Sequence, residues 1–393
     1  MSENFPPRKS KVALLVLIAG IFFFNFLSRL LPAPLMPTIE YDLGLDHTEA
    51  GRFFLLISLG YCTSLVGSGY LSRWLTHRRM IALSSVATGI TLLFVAASET
   101  HWAIYLGLVF LGLAAGAYLP SGITTITSAI SANNWGKAIA VHEMAPSLAY
   151  IAAPLISELL LQWFTWQGVL ASIGVSSILL GLLFHRLHLG GDFKGEPPNF
   201  RNVLPLMKQP AFWIMTILFS VAIATSMGVF SMLPLFLVAE RGFERNYANT
   251  ILGLSRIPAI IVGLFAGWIS DRIGPKQTMK IVLMFNGIMT ILLGIVTGDS
   301  VLFMVFLQPM MSACFYPAAF TFLSGISPPN VRNVVVSMTI FFAYLAGAGL
   351  IPAGMGIMGD AGQFASAIVL VGVLILISVV IFRFLRNQED HTN

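Results

Sequence analysis

His142 and Glu143 stand side by side in the stretch AVHEMAPSLAY, among small and apolar residues. An imidazole titrates near neutral pH, and a carboxyl taken out of water becomes easier to protonate. Together they have the chemistry of a proton-coupling site; the alternative is a hydrogen bond between helices. The same letters begin like the zinc-protease signature H-E-x-x-H, in which two histidines one helical turn apart hold the metal. Here the second histidine is replaced by Pro146, and the signature occurs nowhere else. Cys62 and Cys314 lie far apart in apolar runs. The expectation is therefore no metal, no cofactor and no disulfide framework.

Two arginines offer a second chemistry. Arg29 lies in NFLSRLLPAPLMP and Arg256 in LGLSRIPAII, both in apolar surroundings. A guanidinium stays protonated when desolvated, and its planar fork can donate two parallel hydrogen bonds to a carboxylate. Both are candidates for binding an anionic substrate; the alternatives are a pair with a buried acid or snorkelling to the lipid headgroups. Asn25, one helical turn before Arg29, is either a second donor or a helix-packing amide. Tyr118 and Tyr316, each just before a proline, and Tyr344 are further candidates for contacting substrate.

The elements that hold these residues follow from composition. Of 393 residues, 56% are hydrophobic and 10% charged, with a mean hydropathy of +0.84. A soluble globule carries roughly a quarter charged residues, so too little polar material is present to cover a water-facing surface, and a bilayer is the expected solvent. Runs long enough to span it are expected at 11–36, 48–71, 78–98, 102–128, 136–160, 164–187, 210–238, 246–269, 277–298, 300–326, 332–358 and 362–386. The first is too long for a removable signal peptide and carries Arg29. With both termini placed in the cytoplasm, only Arg52, Arg241 and Arg245 fall outside and only Arg29 and Arg256 within spans. The other Lys and Arg of the total of 22 lie inside, as the positive-inside rule requires. The net charge of +5 is thus a topology signal, and no nucleic-acid partner is expected.

The segment 189–209, with its Gly, Pro and mixed charge, reads as a linker between an N-terminal bundle (1–188) and a C-terminal bundle (210–393). The halves look alike. GYLSRWLTHRR from Gly69 matches GWISDRIGPKQ from Gly267, and AYLPSGITTITSAIS around Pro120 matches CFYPAAFTFLSGIS around Pro317. Such parallel six-helix repeats are a transporter architecture, with substrate bound near the bilayer midplane. The same register serves as a control: Arg29, Arg256, His142 and Glu143 correspond to Met227, Ser58, Thr339 and Ile340 in the other half. Charges needed by the scaffold would recur, and these do not. The small-residue runs GLAAG (112–116) and AGAGLIPAGMG (346–356) read as helix-contact faces along which the halves close.

In these features the sequence resembles the major facilitator superfamily over essentially its whole length. The most specific residues are Gly267, Asp271, Arg272, Gly274 and Lys276, matching the family loop G-x-x-x-D-R-x-G-x-K. In the first-half copy Gly69, Arg78 and Arg79 fit, while Arg73 stands where the family has aspartate and Thr76 where it has glycine. The resemblance implies twelve helices in two pseudo-symmetric bundles, alternating access, and gating by Asp271, Arg272, Gly267 and the departing Arg73. The first-span arginine is similar to that of organic-anion and organophosphate branches, and the eighth-span arginine to that of monocarboxylate carriers.

The expected function is H+-coupled symport of a small, monocarboxylate-like organic anion by a multi-pass monomer of a plasma or bacterial inner membrane. Alternatives are an anion exchanger, an efflux pump for neutral or amphiphilic compounds, and a membrane receptor. An enzyme is not expected, and the absence of a G-x-x-x-x-G-K-[ST] loop argues against an ATP-driven pump.

Overall fold

The computed structural model describes residues 8–195, 207–326 and 332–385. Arg201, Arg386 and the middle of the expected linker, 196–206, lie outside the described residues. Among the described residues, twelve helices are long and apolar enough to cross a membrane: α1 (Lys11–Leu43), α2 (His47–Leu71), α3 (His77–Ala96), α4 (His101–Ala129), α5 (Trp135–Leu160), α6 (Trp166–Leu187), α7 (Pro210–Glu240), α8 (Arg245–Ile273), α9 (Pro275–Ile295), α10 (Ser300–Gly325), α11 (Val335–Asp360) and α12 (Phe364–Phe384). Each matches an expected span, with ends moved by a few residues. The largest shift is at the end of α1, which continues through the proline run to Leu43 because Pro32 opens a new helical segment, where its missing N–H is harmless.

Four of these helices are interrupted, and the sequence gives the reason. α1 breaks at Leu31, α4 at Ala117, α8 at Ser255 and α10 at Cys314. The segments before the breaks end at Leu30, Gly116, Leu254 and Ala313. Pro34, Pro120, Pro258 and Pro317 each stand where the next turn would supply an N–H to those four carbonyls. Proline has none, and its ring crowds the carbonyl it faces. In α5, Pro146 and Pro154 stand in the same relation to His142 and Tyr150, yet the helix runs on unbroken.

The chain divides into two compact units, Met1–Leu35 with Leu56–Pro198, and Met36–Leu55 with Asn199–Asn393. The second therefore includes the α1–α2 corner as well as the C-terminal half, a division that sequence periodicity does not mark.

In the first unit, α2 and α4 approach backbone to backbone. A Cβ on Gly112 would lie 2.1 Å from the Ile57 carbonyl oxygen, and one on Gly60 2.1 Å from that of Val109. The GLAAG run is thus a contact face within this unit. The α2–α3 loop is bound by the chain leaving α6. His77 and Arg78 donate backbone N–H to the carbonyls of Phe193 (3.0 Å) and Gly191 (2.8 Å), and Gly195 donates to Ser72 (2.9 Å). The Arg78 guanidinium pairs with Asp192 at 2.9 Å and also meets His188.

In the second unit, α7 carries π-helical turns at Ala224–Gly228 and Phe236–Glu240, and α11 one at Leu345–Leu350. The first and last adjoin, with Gly228 against the Gly347 carbonyl and Gly347 against that of Ser220. The α1–α2 corner is held by acids: the Asp360 carboxylate accepts from the N–H groups of His47 (2.8 Å) and Thr48 (3.0 Å) and from the Thr48 hydroxyl. It caps the start of α2, where free N–H groups favour an anion. His47 Nδ1 lies 2.9 Å from Glu40.

Candidate functional site

Arg29 lies within α1 of the first unit and is 1% exposed. Its guanidinium sits over two rings, Phe26 at 4.6 Å from its own helix and Tyr61 at 4.3 Å from α2. The ring faces carry negative potential and attract the cation. Nε donates to the Asn25 carbonyl at 3.4 Å. The Asn25 side chain is engaged elsewhere, its amide donating to the Ala115 carbonyl at 3.0 Å beside the break in α4. Asn25 thus supports helix packing through its amide and Arg29 through its backbone. Tyr150 of α5 packs edge-on to Phe26, with centroids 5.5 Å apart.

The titratable pair lies on α5 in the same unit, and burial divides it in a way its sequence did not foretell. His142 is fully buried, while the Glu143 side chain is 50% exposed. Sequence pattern leads one to expect the glutamate to be desolvated; the histidine is. The pair is in contact, His142 Nδ1 to Glu143 Oε1 at 2.9 Å. The imidazole stacks flat on Phe22 of α1, with centroids 4.3 Å apart and planes within 4°. Its Nε2 is 3.0 Å from the hydroxyl of Tyr118 in α4. Tyr118 also stacks on Phe22, is fully buried, and donates to the Ile18 carbonyl at 2.7 Å. It belongs to the histidine's surroundings.

In the second unit Arg256 opens the segment after the α8 break and is 7% exposed. Its guanidinium lies 4.8 Å over the ring of Phe230 in α7. Tyr316 bonds to Ser226 at 2.5 Å, inside the first π-helical turn of α7, and Tyr344 is buried in α11. A polar knot lies nearby in the chain: the Asn286 amide donates to Thr225 (3.0 Å), whose hydroxyl also meets Ser312 (3.1 Å), and the Gln308 amide donates to the Thr225 carbonyl (3.3 Å). A π-helical turn offsets carbonyls from their usual partners, and this knot engages one of them.

The last turn of α8 carries an exposed Asp271 and an exposed Arg272, whose guanidinium lies 3.8 Å over Trp268. Gly274 takes φ +83°, favouring glycine, and Lys276 donates to the Leu385 carbonyl. Gly267 has open space where a Cβ would be. In the first unit Arg73 is exposed, and Arg78 is the motif residue with a carboxylate partner, Asp192, supplied from beyond α6.

The residues that sequence reasoning missed are mostly aromatic. Phe22, Phe26, Tyr61 and Phe230 surround the charged groups, yet in so apolar a chain nothing in their spacing sets them apart. Glu158, a buried acid of α5, had a readable signal, a carboxylate inside a spanning run.

A family model described as Major Facilitator Superfamily matches residues 18–348 and 246–393. The chain is similar to the human voltage-gated purine nucleotide uniporter SLC17A9, 24% identical over 60% of this chain and 58% of that protein, so it spans under two thirds of that relative's length. It is 25% identical to the probable nitrate/nitrite transporter NarK2 of Mycobacterium tuberculosis over 69% of each chain. It is 22% identical to the multidrug resistance protein MdtG of Escherichia coli over 98% of each. Among solved structures, a bacterial homolog of the human lysosomal transporter Spinster superposes with a TM-score of 0.82, 14% identity, and coverage of 96% and 97%.

Proposed function

Given that the chain belongs to the major facilitator superfamily, we propose that it carries a small, monocarboxylate-like organic anion together with H+, by alternating access. The observation that supports this reading best is Arg29, a cation held within a membrane helix at 1% exposure against two aromatic rings. Burying such a charge costs several kcal/mol, and the matching position of the other half is Met227, so the fold itself does not require it. A guanidinium there can offer its planar fork to a transported carboxylate. Arg256 supplies a second cation for the same class of ligand. Two of the relatives bear on the choice, one named for purine nucleotides and one for nitrate and nitrite, both anionic.

Coupling follows from charge balance. An anion that binds Arg29 offsets its positive field, and protonation of Glu143 in the same unit becomes more favourable. Linkage is reciprocal, so the proton in turn favours the anion. In this reading the termini are cytoplasmic, the protein works as a monomer in a plasma or bacterial inner membrane, and the Asp271 loop gates the cycle.

A second reading, efflux of neutral or amphiphilic compounds, is favoured by the nearly full-length alignment with MdtG and by the buried Glu158. Purified protein reconstituted in liposomes distinguishes the two. A thermal-shift panel of carboxylates, phosphates and sulfonates identifies a ligand, and an imposed inward pH gradient should then drive its uptake. Glu143→Gln should abolish that uptake and preserve binding. Stabilisation by lipophilic cations alone would overturn the anion reading.

A further inference from the structure

The contacts around His142 fix where its protons are. The Tyr118 hydroxyl has one hydrogen, and it goes to the Ile18 carbonyl at 2.7 Å, a group that can only accept. Towards His142 Nε2, 3.0 Å away, Tyr118 can then only accept, so Nε2 carries a hydrogen. A neutral imidazole has one N–H, which leaves a bare lone pair on Nδ1, facing Glu143 Oε1 at 2.9 Å. A carboxylate there would set lone pair against lone pair. The contact is satisfied only with one more proton in it, either as a carboxylic acid donating to Nδ1 or as an imidazolium donating to a carboxylate.

We propose that His142 and Glu143 hold a single shared proton, and that Tyr118 is the positioning residue that obliges them to share it. The imidazole cannot leave: it is fully buried, stacked on Phe22 and tied to Tyr118. Glu143, half exposed, is free to swing. Loss of the proton therefore opens the contact from the glutamate side, and protonation closes it. The occupied and empty states differ by the position of a carboxyl, which a transporter can use as a signal.

Few other charges face the pair. Helix α4 presents Tyr118. On α1 the charged group of the same face is Arg29, two turns beyond Phe22, with Tyr61 and Cys62 of α2 beside it. Helix α6 contributes His185 and Arg186, at its last turn. On α5 itself the remaining titratable residues are Lys137, Tyr150 and Glu158.

The use of this proton in transport rests on the coupling reading of Glu143; the sharing itself does not, and the test separates them. Full-length protein labelled with [15N]histidine and [13C]glutamate is titrated in lipid nanodiscs, with His142→Gln and Glu143→Gln assigning the signals. In the wild type His142 should carry Nε2–H throughout, and its Nδ1 signal and the Glu143 carboxyl signal should change in one common step. In Tyr118→Phe nothing obliges Nε2 to donate, so a neutral Nδ1–H tautomer should appear and the common step should split in two. Glu143→Gln, whose amide N–H can donate to Nδ1, should keep His142 neutral with Nε2–H over the range where the wild type changes; this arm stands if Tyr118→Phe does not fold. A neutral Nδ1–H tautomer in the wild type, or separate steps for the two residues, would refute the sharing. A common step combined with undiminished pH-driven uptake by Glu143→Gln would leave the shared proton standing and remove its role in coupling.

Discussion

Replacing Arg29 by lysine keeps the charge and removes the plane. The guanidinium lies 4.6 Å from the Phe26 centroid and 4.3 Å from that of Tyr61, and its Nε reaches the Asn25 carbonyl at 3.4 Å. An ammonium is a point charge and cannot lie flat against both rings. Losing one desolvated cation–π contact costs up to about 2 kcal/mol. Reducing a two-point hydrogen bond with a carboxylate to one point costs about 1.5 kcal/mol more. The sum, up to about 3.5 kcal/mol, corresponds to a loss of affinity of up to roughly three-hundredfold. The assay is equilibrium binding of the carboxylate found by thermal-shift screening, in detergent, with wild type and variant side by side. Arg29→Met serves as the control. A cation kept for substrate burdens the empty protein, so removing it should leave the ligand-free melting temperature unchanged or higher, as replacing buried charges by apolar residues often does. A cation kept for structure would cost stability when removed. Binding by Arg29→Lys within threefold of wild type, or a marked drop in the melting temperature of Arg29→Met, would refute the substrate role.

Arg256→Lys should weaken binding of the same ligand at least tenfold by loss of the fork and of its contact with Phe230; unchanged affinity in both Arg256→Lys and Arg256→Gln would remove it from the site. Asp271→Asn should slow uptake several-fold with binding nearly unchanged, measured as initial rate against Kd in liposomes. Gly112→Ala places a methyl 2.1 Å from one backbone atom and 2.7 Å from another of α2. The helices must part, at about 3 kcal/mol, lowering the melting temperature and shifting Tyr61 from Arg29, so ligand affinity should fall as well. Single cysteines at Asp46, Glu99 or Asp360 should react with an impermeant thiol reagent from outside and one at Thr76 should not; the reverse pattern would invert the topology.

The spans were legible because a bilayer imposes length and polarity on every crossing segment, a constraint that single residues cannot evade. The duplication was legible because Gly69 and Gly267, Arg78 and Lys276, and Pro120 and Pro317 stand at matched places. Arg29 and Arg256 stood out because charge within an apolar run is costly. What could not be read is rotation about the helix axis. In a soluble helix the polar stripe marks the outer face; α5 is apolar on nearly every side, so neither His142 nor Glu143 announces which way it points. The partners of His142 come from α1 and α4, and their rings, Phe22 and Tyr118, are two aromatics among many. The reach of the second unit into the α1–α2 corner was hidden for a related reason. It depends on Asp360 receiving the start of α2, a pairing between residues far apart in the chain.

The interruptions at Ala117 and Cys314 fall at matched places in the two copies, each followed by its own proline. The interruption of α4 and α10 is thus a property of the repeated unit, set by the proline that both copies keep. The interruption at Ser255 has no twin: its counterpart lies within α2, which runs unbroken from His47 to Leu71. That break, with Arg256 at the head of the following segment, therefore belongs to one half alone. Grafting the sequence from Leu254 to Pro258 onto α2 of the first half should introduce a matching interruption there. The interruptions of α4 and α10 should survive that graft, since each rests on its own proline.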